Sequence, residues 1–392
     1  MRVKPKGKPS PKSASKKGSP DPAEQQFSEE LKKRAKLIAD SEKRVKSLVK
    51  SAKTMYRRRK DFDPANVGLL SDDGIVQGDV TEWIPTMFPQ LDMILGGGWP
   101  VRRAVEVFGP EGVGKSALTH MAVKGCQSIG GIPIVLDFER ALDMDKMIQL
   151  DIDPDRVIYC TPDTIEQGWD TIWHWMDILE ADPPPAPALF VWDSIAGSLP
   201  EAELKESSTG DAHVGLIARA MSKGCRRMYR AIAKVRACML WVNQIREVIG
   251  AAGFGKKTQP PGGRAVRFAS TIRLNVAYKK QIKVGSRVIG YQSFPRTDKN
   301  KIFPPHRDTS FVIDFEYGPS PALSMLDFLI RAKKVKANGT GGFVGTWSKM
   351  KFDKREGWLD ALAHTSFREG AMKEFKAVLE KQATTGDTDD DE

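Results

Sequence analysis

The chain has 392 residues, 40% hydrophobic and 28% charged, which is the composition of a folded protein with one large domain and small additions. No apolar run approaches the roughly 20 residues of a membrane-spanning helix, and no apolar segment follows the basic start, so we expect neither a membrane span nor a secretory signal. The four cysteines lack the spacing of a zinc site or a disulfide framework, so we expect buried thiols in a reducing compartment and place the protein in the cytoplasm.

The net charge of +11 is unevenly distributed along the sequence. Residues 1–20 carry seven Lys and Arg and no acidic residue, whereas residues 387–392 read DTDDDE. Residues 1–26 have too few apolar side chains to offset the entropy of folding, and they are predicted to form a disordered basic arm. An acidic tail is predicted at residues 381–392. Such polarity suits a protein that binds a polyanion, although solvated tails of either sign also occur without a partner.

A helical pattern follows the arm. Apolar residues recur mostly three or four positions apart, separated by Lys, Arg and Glu, and they are Phe27, Leu31, Ala35, Ile38, Val45, Leu48, Ala52 and Met55. This spacing predicts one long amphipathic helix or two, within residues 27–75. The apolar face is too narrow for independent stability, so the segment is expected to dock either on its own core or on a neighbouring molecule.

Beyond about residue 100, short apolar runs alternate with helical stretches. The runs AVEVFG, IPIVLDFE, ALFVWDS and CMLWVNQ are typical of buried parallel strands, and the alternation predicts a doubly wound α/β fold. After residue 265 the strands become longer, which predicts antiparallel additions to this sheet, and the core is assigned to residues 76–320. A small C-terminal α+β segment is predicted at residues 321–380. Three tryptophans of one helix are expected to pack in the core, namely Trp169, Trp173 and Trp175.

A phosphate-binding motif begins where the first of these strands ends. GPEGVGKS (109–116) fits G-x-x-x-x-G-K-[ST] fully, after the strand AVEVF and before the helix ALTHMAVKG. Its glycines let backbone N–H groups curl around phosphates, Lys115 is suited to the β/γ oxygens, and the hydroxyl of Ser116 is suited to Mg²⁺. The predicted contacts to ATP from this motif are Gly109, Pro110, Glu111, Gly112, Val113, Gly114, Lys115, Ser116 and Ala117.

Polar residues end three other predicted strands, and hydrolysis of a nucleotide needs groups of this kind. Asp193 ends ALFVW and is the predicted second Mg²⁺ ligand beside Ser116. Glu139 ends IPIVLDFE and is the best placed carboxylate to activate a water, with Asp137 as the alternative. Gln244 in WVNQI either senses the γ-phosphate or is a plain residue at the edge of the sheet, and its spacing leaves both open.

The order of the motifs resembles that of one family. GPEGVGKS, LDFERALD, FVWDSIAGSLPEAE, GDAHVGLIARAMS, VNQIR, GGRAVRFASTIRL and KNKI together resemble the RecA family of bacterial and bacteriophage recombinases, over residues 80–320 approximately. The resemblance implies a RecA-like P-loop ATPase core that uses ATP and Mg²⁺, in a bacterial cell or a phage-infected host. It makes residues 27–75 an oligomerisation segment of a helical filament. It also makes Glu139 the catalytic base, and Gln244 the residue that couples the γ-phosphate to DNA binding.

The resemblance assigns further roles to residues at the base and at the subunit interface. Asp143 becomes the adenine-side contact, although the family's stacking aromatic residue three positions later is Lys146 here. Lys299 and Lys301 become the pair that reaches the γ-phosphate of a neighbouring subunit, as an arginine finger does in trans. Without the other motifs, two solvated lysines in a turn would be the default interpretation.

A basic stripe and two loops are candidate DNA contacts. After about Val214, Lys and Arg recur at helical spacing, at Arg219, Lys223, Arg226, Arg227, Arg230 and Lys234. Such a stripe is commonly a solvated face, but it also fits a line of phosphate contacts. The resemblance makes residues 201–214 the first DNA loop and residues 246–264 the second, and makes Phe268 a relay of nucleotide state between subunits. The predicted DNA contacts are Arg219, Ser222, Arg226, Arg246, Phe254, Lys256, Lys257, Gly262, Gly263 and Arg264.

The resemblance implies a DNA-dependent ATPase that forms a filament on single-stranded DNA, pairs it with homologous double-stranded DNA and exchanges strands. Mediator or single-strand-binding proteins would be further partners. The alternative is a hexameric P-loop helicase or a branch-migration motor, and branch-migration enzymes of this kind carry a four-cysteine zinc module that this sequence lacks. A more distant alternative, a small-molecule kinase, would have an acceptor pocket and a lid in place of two basic loops.

Overall fold

The computed structural model describes residues 22–57, 67, 80–205, 215–247, 258–259, 261–337, 342–353 and 356–385. The chain divides into two compact units, residues 1–78 and residues 79–392. Within the described ranges, no helix combines the length and the apolar character needed to cross a bilayer.

Among the described residues of the first unit, one long helix, α1 (Pro22–Tyr56), spans the whole predicted apolar pattern. The helix begins at Pro22, so the predicted boundary of the basic arm at residue 26 was wrong. Proline is favoured in the first turn of a helix, and the Ala, Glu and Gln residues that follow are strong helix formers, although they lack an apolar period. The apolar stripe is exposed, as at Ile38 and Leu48. Residues 1–21 of the predicted arm lie outside the described residues.

The second unit is built on a large sheet. The strands are β1 (Trp83–Ile84), β2 (Trp99–Pro100), β3 (Arg103–Gly109), β4 (Ile132–Asp137), β5 (Ile158–Cys160), β6 (Ala188–Asp193), β7 (Ala237–Gln244), β8 (Arg246–Glu247), β9 (Thr258–Gln259), β10 (Ile272–Val284), β11 (Arg287–Asn300), β12 (Phe311–Asp314), β13 (Gly318–Ser320), β14 (Val335–Ala337), β15 (Gly342–Gly345) and β16 (Lys351–Asp353). In the described part of the chain, one nine-stranded sheet has the order β13-β12-β11-β10-β3-β7-β6-β4-β5. Pairings from β10 through β3 to β5 are parallel. Pairings from β10 to β13 are antiparallel.

Helices cover both faces of this sheet. The described α-helices of the second unit are α2 (Pro89–Leu95), α3 (Lys115–Ser128), α4 (Met144–Gln149), α5 (Ile165–Ala181), α6 (Glu201–Lys205), α7 (Leu216–Lys234), α8 (Gly263–Ala269), α9 (Pro321–Arg331), α10 (Glu356–Ala363) and α11 (Thr365–Thr385). Side chains alternate along a strand, so Leu189 and Val191 of β6 pack with α2 and α3, whereas Phe190 and Trp192 pack with α5, α7 and α8. The predicted doubly wound α/β fold with antiparallel additions is therefore confirmed.

The tryptophans of α5 belong to the second of these cores. Trp169 and Trp173 are buried, and Trp175 packs against the same cluster. The rings of Trp169 and Trp173 stack with their centroids 5.1 Å apart. The expectation that these residues form core packing is confirmed.

The C-terminal part has a third apolar cluster, built around Trp358, Phe367 and Phe375. It contains α9, the three-stranded sheet β14-β15-β16, α10 and α11. Helix α11 continues to Thr385, so the predicted start of the acidic tail at residue 381 was too early, because Lys, Gln and Ala extend the helix. The acidic residues from Asp387 onward lie outside the described residues.

Candidate nucleotide site and nucleic-acid interface

The predicted catalytic and metal-binding positions meet at one edge of the sheet. The phosphate loop follows β3, Asp193 ends β6, and Gln244 ends β7. The strand register pairs Gly109 with Gln244 and Asp137 with Asp193. Because parallel strands end at the same edge, residues far apart in sequence become neighbours there.

The phosphate loop needs glycine at several positions. A Cβ atom on Gly109 would lie 2.1 Å from the carbonyl oxygen of Val276, which no side chain tolerates. Gly112 and Gly114 have φ values of 68° and 102°, in the left-handed region that favours glycine. Gly114 is also the N-cap of α3, so the loop delivers its amides directly to a helix N-terminus.

Lys115 and Ser116 are the first two residues of α3. The Lys115 side chain is buried, and its Nζ donates to the carbonyl oxygens of Gly109, at 3.1 Å, and of Pro110. Burial lowers the pKa of the Lys115 ammonium, while Asp193, Glu139 and Glu111 oppose that shift. Ser116 is exposed. A buried cation bonded only to carbonyl dipoles and facing carboxylates is suited to exchange those carbonyls for phosphate oxygens.

The Asp193 carboxyl is well placed for a cation. Its pKa is raised to about 7, chiefly by burial and also by the charges of Glu139 and Asp137, while Lys115 opposes the shift. Within the described residues, no group of three or more His, Cys, Asp or Glu side chains could hold a metal by itself. Mg²⁺ usually takes one or two protein oxygens together with substrate phosphates and water, so a single carboxylate beside the Ser116 hydroxyl fits this ion.

The two carboxylates at the end of β4 have different partners: Asp137 is the last residue of the strand, and Glu139 lies in the turn after it. Asp137 is buried and accepts three hydrogen bonds, from the N–H of Glu139 at 3.0 Å, the N–H of Leu142 at 2.9 Å and the hydroxyl of Tyr159 at 3.1 Å. Glu139 is exposed, and its Oε1 accepts from Gln244 Nε2 at 3.3 Å. Asp137 thus holds the turn, and the Glu139 carboxylate remains directed at the site.

Ser194 is a site residue that the sequence analysis missed. Its Oγ also donates to Glu139 Oε1, so two donors orient the carboxylate. Gly197 allows this arrangement, because a Cβ there would lie 2.7 Å from Glu139 Cγ. The position of Ser194 immediately after Asp193 was the available signal.

A cavity of about 250 Å³ brings many of the predicted residues together. Its lining includes Ser116, Glu139, Asp143, Lys146 and Asp193. Asp143 is the N-cap of α4, and its Oδ2 pairs with Lys146 Nζ at 3.1 Å. Asp143, the predicted contact to adenine, therefore lines the same cavity as the predicted metal ligands Ser116 and Asp193. Its carboxylate is paired with Lys146.

Lys299 and Lys301, the two lysines of the KNKI motif, do not line that cavity. Lys299 Nζ donates to the carbonyl oxygens of Arg267 at 2.7 Å, Phe268 at 3.3 Å and Ser270 at 2.5 Å, at the end of α8. The pKa of Lys299 is lowered to about 8, chiefly by burial and also by the charge of Lys301. Lys301 is exposed beyond the end of β11. Within one molecule, Lys299 thus caps α8 instead of reaching the phosphate loop.

A buried polar network joins three consecutive strands of the sheet, β7, β3 and β10. Glu106 and Asn243 are fully buried, and Asn243 Nδ2 donates to Glu106 Oε1 at 3.0 Å and to the carbonyl of Pro261 at 2.9 Å. Arg273 Nε donates to Glu106 Oε2 at 2.5 Å. The end of the second predicted DNA loop is therefore fixed to the residue next to Gln244. Sequence reasoning missed this network, because its partners come from three separate strands and a loop.

The predicted basic stripe lies on α7, which begins at Leu216. Its exposed cations are Arg219, Lys223, Arg226, Arg227, Arg230 and Lys234, and Ser222 is partly buried. The Arg227 guanidinium lies 4.4 Å from the centroid of a Trp173 ring, and Lys234 pairs with Glu180 at 3.0 Å. The stripe is a continuous cationic surface that is fixed at its side by the tryptophan core.

The two predicted DNA loops are described only in part. Residues 206–214 of the first loop lie outside the described residues, as do Phe254, Lys256 and Lys257 of the second. Arg246 belongs to β8, which pairs with β9. Gly262 is the N-cap of α8 and Gly263 its first residue, and a Cβ on Gly263 would lie 2.9 Å from Ala218 Cβ of α7. Arg264 and Phe268 are exposed on α8.

Comparison with known proteins identifies the family. Residues 51–320 match the model of the RecA N-terminal domain. The chain is 36% identical to Protein RecA of Levilactobacillus brevis over 289 residues, and this aligned part is 74% of each chain. It is 34% identical over 301 residues to Protein RecA of Thermus aquaticus, covering 76% of this chain and 84% of that one. Protein RecA of Rhodococcus jostii is 34% identical over 309 residues, or 78% of this chain and 86% of the relative. The chain therefore belongs to the RecA family.

Proposed function

We propose that the protein is an ATP-dependent DNA recombinase that assembles as a helical filament on single-stranded DNA and catalyses homologous pairing and strand exchange. Membership of the RecA family supports this function. The observation that carries it is the convergence of Lys115, Asp193, Glu139 and Gln244 around one phosphate loop, beside a helix with a cationic face.

The nucleotide chemistry follows from the contacts at the edge of the sheet. Loop amides and Lys115 hold the phosphates, Ser116 and Asp193 hold Mg²⁺, and Asp143 faces the base. Mg²⁺ supplies neutralisation of the phosphate oxygens when it is bound. Glu139 orients and deprotonates the attacking water, and Ser194 and Gln244 keep its carboxylate in place. Because Gln244 donates to Glu139, a change at the γ-phosphate reaches the start of the second DNA loop through adjacent residues.

The active site is shared between two copies of the chain in this proposal. Lys299 and Lys301 of one subunit complete the charge around the γ-phosphate bound by its neighbour. Within one molecule the Lys299 ammonium donates to carbonyl oxygens at the end of α8, and burial lowers its pKa. These contacts support the proposal, because a partly desolvated ammonium is stabilised more by a phosphate oxygen than by a neutral carbonyl.

The DNA contacts in this proposal are Arg219, Ser222 and Arg226 of α7, together with the second loop. Lys and Arg side chains bind phosphates without reading sequence, which suits a protein that must act on any strand. The rival function, a hexameric helicase or branch-migration motor, is not favoured by the family. The four cysteines also lack the spacing of the zinc module that branch-migration enzymes of this kind carry.

The deciding experiment measures ATP hydrolysis with and without single-stranded DNA, for the parent chain and for Lys115→Ala. We expect single-stranded DNA to raise the parent rate and Lys115→Ala to abolish hydrolysis. Electron microscopy of the same samples should show helical filaments. A parent rate that DNA leaves unchanged would refute the recombinase function, and closed rings in place of filaments would favour the motor.

A further inference from the structure

The antiparallel hairpin β10–β11 contacts the phosphate loop through two side chains. Lys279 of β10 and Ser293 of β11 are direct cross-strand partners. Lys279 Nζ donates to the carbonyl oxygen of Gly112 at 2.7 Å, and Ser293 Oγ donates to the carbonyl oxygen of Val113 at 2.6 Å. One cross-strand pair therefore holds two consecutive carbonyls of the loop.

These two hydrogen bonds determine where the loop's amides point. In a trans peptide group the C=O and the following N–H point in opposite directions. A Gly112 carbonyl held toward the hairpin therefore turns the Val113 N–H away from it, and the Val113 carbonyl does the same to the Gly114 N–H. Amides of such a loop are the groups that cradle the α- and β-phosphates.

Lys279 and Ser293 are closely packed against the residues around them. The Lys279 ammonium lies 4.8 Å from the centroid of the Tyr291 ring, which limits the positions it can take. Ser293 is fully buried, and its Oγ would lie 3.1 Å from a Cβ on Gly114. A Cβ on Gly112 would lie 3.2 Å from Lys279 Nζ. The glycines of the loop thus also allow the hairpin to approach this closely.

We propose that Lys279 and Ser293 are positioning residues for nucleotide binding, which orient the Val113 and Gly114 amides before the phosphates arrive. The inference rests on the nucleotide-binding part of the proposed function. A loop held in its binding conformation loses less freedom when the ligand binds, so the gain is in affinity. Both ATP and ADP carry the phosphates that these amides would meet, so the effect is the same for the two nucleotides.

The test measures Mg²⁺-dependent binding of ATP and ADP by titration calorimetry on the full chain. Lys279→Met removes the donor and keeps most of the stem, Lys279→Arg restores a donor and the charge, and Lys280→Met is the matched control. Lys280 is exposed and points to the opposite face of β10, because side chains alternate along a strand. The thermal unfolding midpoint of each variant shows whether the fold is kept.

We expect Lys279→Met to weaken ATP and ADP equally, by about three- to tenfold, which is the usual size for the loss of one hydrogen bond. Lys279→Arg and Lys280→Met should bind like the parent. In steady state, KM should rise in Lys279→Met while kcat stays near that of the parent, as for a loss of uniform binding. Ser293→Ala should weaken both nucleotides in the same way.

Three results with the variants would overturn the inference. Parent-like binding by Lys279→Met would show that the hydrogen bond from Lys279 to the Gly112 carbonyl contributes nothing to nucleotide affinity. Equal losses in Lys279→Met and Lys280→Met would show a general effect of charge, and a loss confined to ATP would place the effect at the γ-phosphate. A parent chain that bound neither nucleotide would refute the proposed function itself, and this inference with it.

Discussion

At the scale of single residues, hydrogen-bond partners distinguish two carboxylates that sequence position could not. Asp137 is the last residue of β4 and Glu139 lies two positions beyond it, so by position either could activate a water. Asp137 is occupied by three donors that close the turn, whereas Glu139 is oriented by side chains from the ends of two other strands. Such a division of roles is decided by contacts across the sheet, which no local pattern predicts.

Replacing Glu139 by Gln should separate binding from hydrolysis. The amide oxygen of Gln keeps an acceptor for Ser194 and Gln244, so the local structure is retained, but the group can no longer take a proton. We expect ATP binding and filament assembly to persist while hydrolysis falls by about 10²–10⁴-fold. Single-turnover hydrolysis and electron microscopy measure the two effects.

The control for this substitution is Asp170→Asn, which removes one exposed carboxylate from α5. We expect it to hydrolyse ATP at the parent rate. Loss of assembly in Glu139→Gln would show that Glu139 is a structural residue.

At the scale of elements, the close contact of α5 and α7 depends on one glycine. A Cβ on Gly224 of α7 would lie 2.0 Å from Trp169 Cε2 of α5. Gly224 lies inside a helix, where glycine is normally unfavourable by roughly 1 kcal/mol relative to alanine. Its presence follows from packing, because a ring plane lies flat against the helix backbone.

Gly224→Ala should therefore lower the free energy of unfolding by about 1–3 kcal/mol, as overpacked cores do. Chemical denaturation measures it. Gly357→Ala is the matched control, since a Cβ at that position of α10 meets Phe352 atoms only at 3.4–3.7 Å, which is ordinary contact. That control should be neutral or slightly stabilising. Equal unfolding free energies for both variants would contradict the packing argument.

The long elements of the core were predictable, and the short ones were not. Buried strands such as β4 and β6 are continuous apolar runs, and the glycine motif fixed the position of α3. Helix α8 has only seven residues, and glycines occupy its N-cap and its first position, so its sequence is typical of a loop. Strands β14 and β16 have three residues each, too few for a period to show. The contacts of Lys279 and Ser293 with the phosphate loop depend on long-range packing, and the sequence carries no signal for them.

At the scale of the whole molecule, the proposed trans role of Lys299 and Lys301 predicts that one chain alone is insufficient for hydrolysis. Lys301 is exposed at the end of β11, and Lys299 is bound to α8. Activity should therefore require contact between two copies.

Mixing two inactive variants tests this arrangement. Glu139→Gln lacks the base but keeps Lys301, and Lys301→Ala keeps the base. Random co-assembly at equal concentrations creates one functional interface in about four, so about a quarter of the parent rate should return if the cation acts in trans. The measurement is DNA-stimulated ATP hydrolysis of the mixture. As a control, mixing the double variant Glu139→Gln, Lys301→Ala with Lys301→Ala should give no ATP hydrolysis. If the mixture of the two single variants also hydrolysed no ATP, Lys301 would act in cis.

The stacked pair Phe138 and Trp192 has a practical consequence. Their ring centroids lie 4.7 Å apart, and Trp192 Nε1 donates to Ser198 Oγ at 3.0 Å. Each ring directly precedes a carboxylate of the site, Glu139 or Asp193. Trp192 is therefore an intrinsic fluorophore beside the candidate site, and we expect nucleotide binding to change the ultraviolet emission of the unlabelled protein.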